Sequence, residues 1–187
     1  RAAGDQNLQL GTAVRNVTPP VGLRLCGVFH ERLSTGVHDP LMVRAMVFSQ
    51  GRIAFAIVGC DLAMMSPAVA AQARTVIKSS CGIPSDHVLI HASETHNGPD
   101  YFGEFRETFH RQALAQHGHD PAEPVDFPRN LAEEIAKTVV EAHENQRPIR
   151  LTCGESTCPG IAFYRRFKMK DGSIGWNPGK LNPNIVA

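Results

Sequence analysis

The residues best equipped for chemistry fall in one short stretch, VLIHASETHNGPDY at 88–101. It carries His91, Glu94, His96, Asn97 and Asp100 in close succession. Carboxylate and imidazole are donor types of a zinc site. With 92–96 extended, Glu94 and His96 would project to one face, because strand side chains alternate. One carboxylate and one imidazole make half of a catalytic zinc site, which takes three protein ligands and a water. Glu94 and His96 are therefore the candidate metal ligands, and His96 the candidate catalytic residue.

Other candidates are scattered. The stretch 21–39 is rich in glycine and polar residues and holds His30, Glu31, Arg32 and His38. It reads as a long loop over one face, and such loops are functional or mobile. Asp61 closes an apolar run and serves equally well as a site residue or as a turn cap. The run His117-Gly118-His119-Asp120 invites a metal reading, but a solvated loop is favoured there. Arg165 and Arg166 alternate in a strand-like run, so one of them should face inward or toward a cleft.

The elements that must hold these residues follow from hydrophobic periodicity. Residues 8–17 alternate as a strand and stop at Thr18-Pro19-Pro20. Residues 41–48 and 52–60 flank Ser49-Gln50-Gly51, a hairpin signal. Ile53–Cys60 is nearly all apolar, which predicts a central strand covered on both faces. Ser66-Pro67 opens a helix whose stripe is Val69, Ala73, Val76 and Ile77, ended by Gly82 and Pro84. Val88-Leu89-Ile90 is the next strand, suggesting a parallel crossover. Residues 101–126 read as a polar, variable insertion. A second helix occupies 126–145, with Leu131, Ile135, Val139 and Ala142 on one face and His143 near its C-terminus. Residues 149–153 and 161–169 read as strands, with a hairpin turn at 170–173. The fold class is α/β, a mixed sheet with helices packed on it.

The chain has 187 residues, a formal net charge of +1 and 42% hydrophobic residues. That length suits one domain with a real core. The balanced charge gives no reason to invoke nucleic acid or an anionic membrane. No apolar run is long enough to span a bilayer. The start, Arg1-Ala2-Ala3-Gly4-Asp5, lacks the hydrophobic region of a signal peptide and suits an end left by processing. Of the five cysteines, Cys60 reads as a buried small hydrophobe, and Cys153 with Cys158 could bridge in an oxidising compartment. A cysteine hydrolase built on Cys60 or Cys26 has no motif support.

Four segments carry a family resemblance. ASETHNGP at 92–99 resembles the (A/G)-T-H-T-H-S-G-P segment of the neutral, non-lysosomal ceramidases. GTAVRNVTP at 11–19 is similar to that family's first strand, G-x-A-x-x-D-I-T-P. GVHDPLMVRA at 36–45 is similar to its G-I-H-x-x-L-x-x-R-A segment, and Tyr164-Arg165-Arg166 falls where the family has N-R-S or N-R-R. The match runs from about Gly11 to the end. Glu94 stands where the family has its first zinc-binding histidine, and Tyr164 replaces the family's asparagine.

The resemblance implies a zinc-dependent hydrolase of an N-acyl bond, with metal-activated water attacking the amide carbonyl. It implies Glu94 and His96 as metal ligands, His96 and Arg165 as catalytic residues, and His38 and Arg165 as substrate-binding residues. The family's remaining zinc ligands lie downstream of the matched segments. The chain therefore reads as the N-terminal portion of a larger catalytic domain, with a continuation or a second chain supplying those ligands. A secreted or periplasmic location and a small-molecule or lipid N-acyl substrate go with this reading. The alternative is a ceramidase-like binding module without catalysis, favoured by the histidine-to-glutamate replacement at Glu94.

Overall fold

The computed structural model describes residues 7–162, 164–179 and 181–186. The expectation for Arg1-Ala2-Ala3-Gly4-Asp5 lies outside them, as does Phe163 of the predicted 161–169 strand. The described chain divides into two compact units, Arg1–Arg150 and Leu151–Ala187.

In the first unit a mixed sheet forms from β1 (Gln9–Asn16), β2 (Met42–Gln50), β3 (Ile53–Cys60), β4 (Val88–Ala92) and the short β5 (Arg147–Pro148), in the spatial order β4-β3-β2-β1-β5. The β2–β3 hairpin pairs Gln50 with Ile53, and Gly51 takes the left-handed backbone its tight turn requires (φ 60°). β4 pairs parallel with β3 through the crossover helix α1 (Pro67–Cys81). Two further helices follow, α2 (Glu104–His117) and α3 (Phe127–Glu144).

Register explains the core. Gly11, Val47, Ala56 and Val88 form one row across the sheet, and Ala13, Ala45, Val58 and Ile90 the next. Both rows are buried, under α3 and α1, with Leu131, Ile135, Val139, Ala73 and Ile77 among the covering side chains. The helix stripes expected from periodicity are therefore the core stripes. α3 begins at Asp126, whose side chain accepts from the backbone N of Arg129 at 3.1 Å, satisfying an orphan amide of the first turn. Ser66 holds the N-cap position of α1 without a side-chain cap; its backbone N instead donates to the Tyr101 hydroxyl at 3.0 Å. Gly11 is needed for close approach, since a Cβ there would lie 1.7 Å from the Ala142 carbonyl oxygen of α3.

Three expectations need correction. β3 is covered on one face only: Ile53 is 65% and Phe55 41% exposed, because α1 and α3 share the opposite face. The opposite rows, such as Thr12, Met46, Ile57 and Leu89, leave apolar side chains on an open surface. Second, the 101–126 stretch contains a helix, α2. It has no buried residue, so it shows no apolar stripe by which to be read. Glu104 and Glu107 in its first turn and the left-handed Gly118 at its C-cap are what mark it. Third, 149–153 is not a strand; pairing with β1 occurs at Arg147–Pro148 instead.

Among its described residues the second unit contains one hairpin, β6 (Arg166–Lys168) with β7 (Ile174–Trp176). The predicted 161–169 strand is thus shorter, and Arg165 precedes it. No helix of the described residues is long and apolar enough to cross a membrane.

Candidate functional site

β4 ends at Ala92, and the motif leaves it as a loop. Ser93 stays bonded to the sheet, its N donating to the Cys60 carbonyl at 3.0 Å. Glu94 then adopts φ 65°, a left-handed conformation uncommon for glutamate. The chain is therefore not extended through 92–96, and the alternation that would set Glu94 and His96 on one face does not apply. Both residues are exposed.

A second loop clamps this one from the side. The Arg32 Nη2 donates to the His96 carbonyl at 2.5 Å and to the Cys26 carbonyl at 3.2 Å. Cys26 N donates to the Gly98 carbonyl at 2.9 Å, Leu25 bridges to Pro99, and Asp100 N donates to the Arg24 carbonyl at 2.9 Å. Beyond the loop, the buried Tyr101 hydroxyl donates to the Met64 carbonyl at 3.1 Å, and burial pushes its pKa up to about 12.

Arg24 anchors the clamp. It is 3% exposed, and so is Asp120. Its Nη1 and Nη2 grip the two Asp120 oxygens at 2.7 and 2.9 Å, while its Nε reaches Glu31 at 2.7 Å. Glu123 is held by Arg106 of α2, and His110 Nδ1 lies 2.7 Å from Asp120. Burial alone would push the Asp120 carboxyl up. The bonds from Arg24 and His110 outweigh it and hold the pKa down at about 2.

His110, Asp120 and Glu123 are the single group of three metal-type donors among the described residues. They do not suit a catalytic metal. Two guanidinium groups already saturate the carboxylates, and a cation there would have to displace them. The favoured loop reading of 117–120 also needs amendment. His117 and His119 are exposed, but Asp120 is buried and pairs with His110 and Arg24. Those partners lie ten and 96 residues away along the chain, so nothing local announces them.

The other candidates sort by position. His38 is exposed, with Nδ1 2.8 Å from Asp39 Oδ2, and that carboxylate raises its pKa. His38 lines a cavity of about 720 Å³ together with Arg32, Asp39, Thr95 and Asn97. The structure thus brings His38 beside the immediate neighbours of His96; Glu94 and His96 themselves do not line the cavity. His30 is exposed. Asp61 accepts from Met42 N at 3.0 Å and Arg44 Nη1 at 2.8 Å, which ties the end of β3 to the start of β2. His91 lies on the open sheet face above Gly59. His143 carries a buried Nδ1 without a hydrogen-bond partner.

In the second unit Arg165 and Arg166 are both exposed, and Arg166 stacks over the Tyr164 ring at 5.4 Å. All five cysteines are free. Burial pushes the Cys60 thiol up to about 12, the opposite of an activated nucleophile.

No protein-family model matches this chain, and no curated protein sequence matches it significantly. Solved structures do. The crystal structure of neutral ceramidase from Pseudomonas aeruginosa matches with a TM-score of 0.60 at 20% identity, covering 77% of this chain and 22% of that one. A ceramidase complexed with C2 matches with a TM-score of 0.58 at 18% identity over the same shares. At this identity the likeness is one of fold: the mixed sheet and its helices are those of a region of the neutral ceramidases. The chain spans about a fifth of the length of those proteins.

Proposed function

We propose that this chain forms part of a metal-dependent hydrolase that cleaves an N-acyl bond. The observation that carries the reading is a coincidence of fold and motif. The ceramidase-like sheet delivers the His96 segment at the end of its parallel strand pair, where α/β sheets carry their sites. Binding without catalysis is the second reading, and the replacement at Glu94 is what favours it.

Glu94 and His96 are the residues proposed to hold the metal, with zinc as the ion. Both side chains are exposed, and neither is engaged in an ion pair among the described residues, so their donors are available. They are two ligands of the three required. Zinc, when bound, supplies Lewis-acid polarisation and a water of lowered pKa. The chain's own contribution is to hold the loop: Arg32 and the Cys26–Gly98 and Arg24–Asp100 backbone bonds fix its path. The further roles proposed are carbonyl or oxyanion binding for Arg165 and substrate contact for His38.

Remaining ligands are proposed to come from a continuation or a second chain. The open sheet face, with Val14 53% and Leu89 57% exposed, supports a covering segment of this kind. A secreted or periplasmic location belongs to the same proposal.

The test measures zinc by mass spectrometry and amide hydrolysis on the natively purified protein, with any co-purifying chain. Stoichiometric zinc lost in His96→Ala supports the enzyme. Absence of metal together with retained ligand binding supports the binding module.

A further inference from the structure

We infer that the cavity beside the His96 loop selects a ligand bearing a carboxylate next to its amide, an N-acyl amino acid, and that Arg32 reads the carboxylate. The amide half of this ligand rests on the hydrolase reading above; the charge selectivity does not.

Several arginines around the fold have carboxylate counter-charges. Arg24 has Glu31, Asp120 and Glu123; Arg106 has Glu107 and Glu123; Arg44 has Asp61; Arg15 has Glu134 and Glu141. Arg32 is half-buried, and among the described residues no carboxylate pairs with it. Its Nη2 is spent on two backbone carbonyls, and among the described residues its Nε is buried without a hydrogen-bond partner. A partly desolvated guanidinium with an unfilled donor is costly unless an anion completes it. A carboxylate matches a guanidinium fork better than any neutral group does.

The surroundings define the rest of the ligand. Arg32 lines the cavity of about 720 Å³, a size that takes a small amphiphile. Leu23, Leu25, Leu33 and Val37 supply its apolar wall, suited to an acyl chain. Asp39 also lines it, but His38 Nδ1 sits 2.8 Å from that carboxylate, so its charge has a partner and Arg32 is left as the unbalanced one. Because Arg32 also holds the His96 carbonyl, a carboxylate bound there brings its neighbouring amide to the motif loop.

The experiment titrates the purified protein calorimetrically with N-octanoylglycine and with the uncharged N-octanoylethanolamine. Wild type is expected to prefer the carboxylate by about tenfold, the scale of one charge-assisted pair. Arg32→Gln should erase the preference by weakening the charged probe more than the uncharged one, and Arg32→Lys should restore part of it. Thr35→Asp adds a like charge at an exposed position of the cavity wall and should reduce the preference without touching the loop clamp. Equal affinities in wild type, or a preference intact in both Arg32→Gln and Thr35→Asp, overturns the inference. Hydrolysis of both probes is followed separately. Selective binding without turnover defeats the hydrolase reading and leaves the carboxylate site standing; turnover of both with equal KM does the reverse.

Discussion

Gly27 and His96 touch in a way no other residue at position 27 could reproduce: a Cβ on Gly27 would lie 2.4 Å from the His96 Cβ. Gly27 also holds φ 101°, a conformation that side chains disfavour. The motif loop is therefore shaped by a residue about 70 positions earlier in the chain, through contact rather than through a bond.

Gly27→Ala should move the His96 loop. Backbone strain alone costs about 1–3 kcal/mol, and the clash adds displacement. Gly22 is the control, since it has φ 103° with open space around it. Gly22→Ala should lower the melting temperature but spare zinc content and turnover, whereas Gly27→Ala should lower all three. Equal effects from the two variants would mean that the contact with His96 carries nothing.

On the hydrolase proposal, His96→Ala should abolish turnover; it should change stability by less than about 0.5 kcal/mol, as exposed substitutions do. Its side chain is exposed, and the bond from Arg32 goes to its backbone carbonyl, which alanine keeps. Denaturant unfolding beside an activity assay checks this. A large fall in stability with activity per folded molecule intact would make His96 a structural residue.

Gly11→Ala tests the packing of β1 on α3. The added methyl meets the Ala142 carbonyl, and overpacking of this kind costs about 1–3 kcal/mol. The melting temperature should fall by about 2–4 °C for each kcal/mol. Zinc content per folded molecule should be unchanged, because neither residue belongs to the motif loop.

Asp120 gives the fold an acid-sensitive clamp. Its folded pKa of about 2 is depressed below the unfolded value, so its stabilisation is present above about pH 4 and is lost as pH falls toward 2. The magnitude is on the order of 2 kcal/mol. Asp120→Asn should flatten that part of the stability–pH curve. It should also destabilise at neutral pH, because Arg24 is left buried without its main partner. Equilibrium unfolding between pH 2 and 7 checks both. His110→Ala, in contrast, should leave metal content unchanged, since the carboxylates around it are already bound to arginine.

The sequence by itself determined most of the scaffold. Alternation in 8–17, the hairpin at Gly51, and the stripes of α1 and α3 are local patterns whose period alone fixes which face is buried. Val69, Ala73, Ile77, Leu131, Ile135, Val139 and Ala142 all reach the core. The motif at 92–99 was equally visible, because a buried strand running into polar residues is read from adjacent positions. Tertiary structure decided the rest. α2 has no buried face, so hydrophobic periodicity could not announce it. That β3 is covered on one side only depends on both packed helices choosing the same face, which an apolar run does not encode. The Arg24–Asp120 pair and the Arg32 contact with the His96 carbonyl join residues 96 and 64 apart. Contacts made over such separations leave no periodic trace in the sequence; only the folded backbone brings the groups within hydrogen-bond distance, and for Arg24 and Asp120, each 3% exposed, low solvent exposure makes the pairing strong.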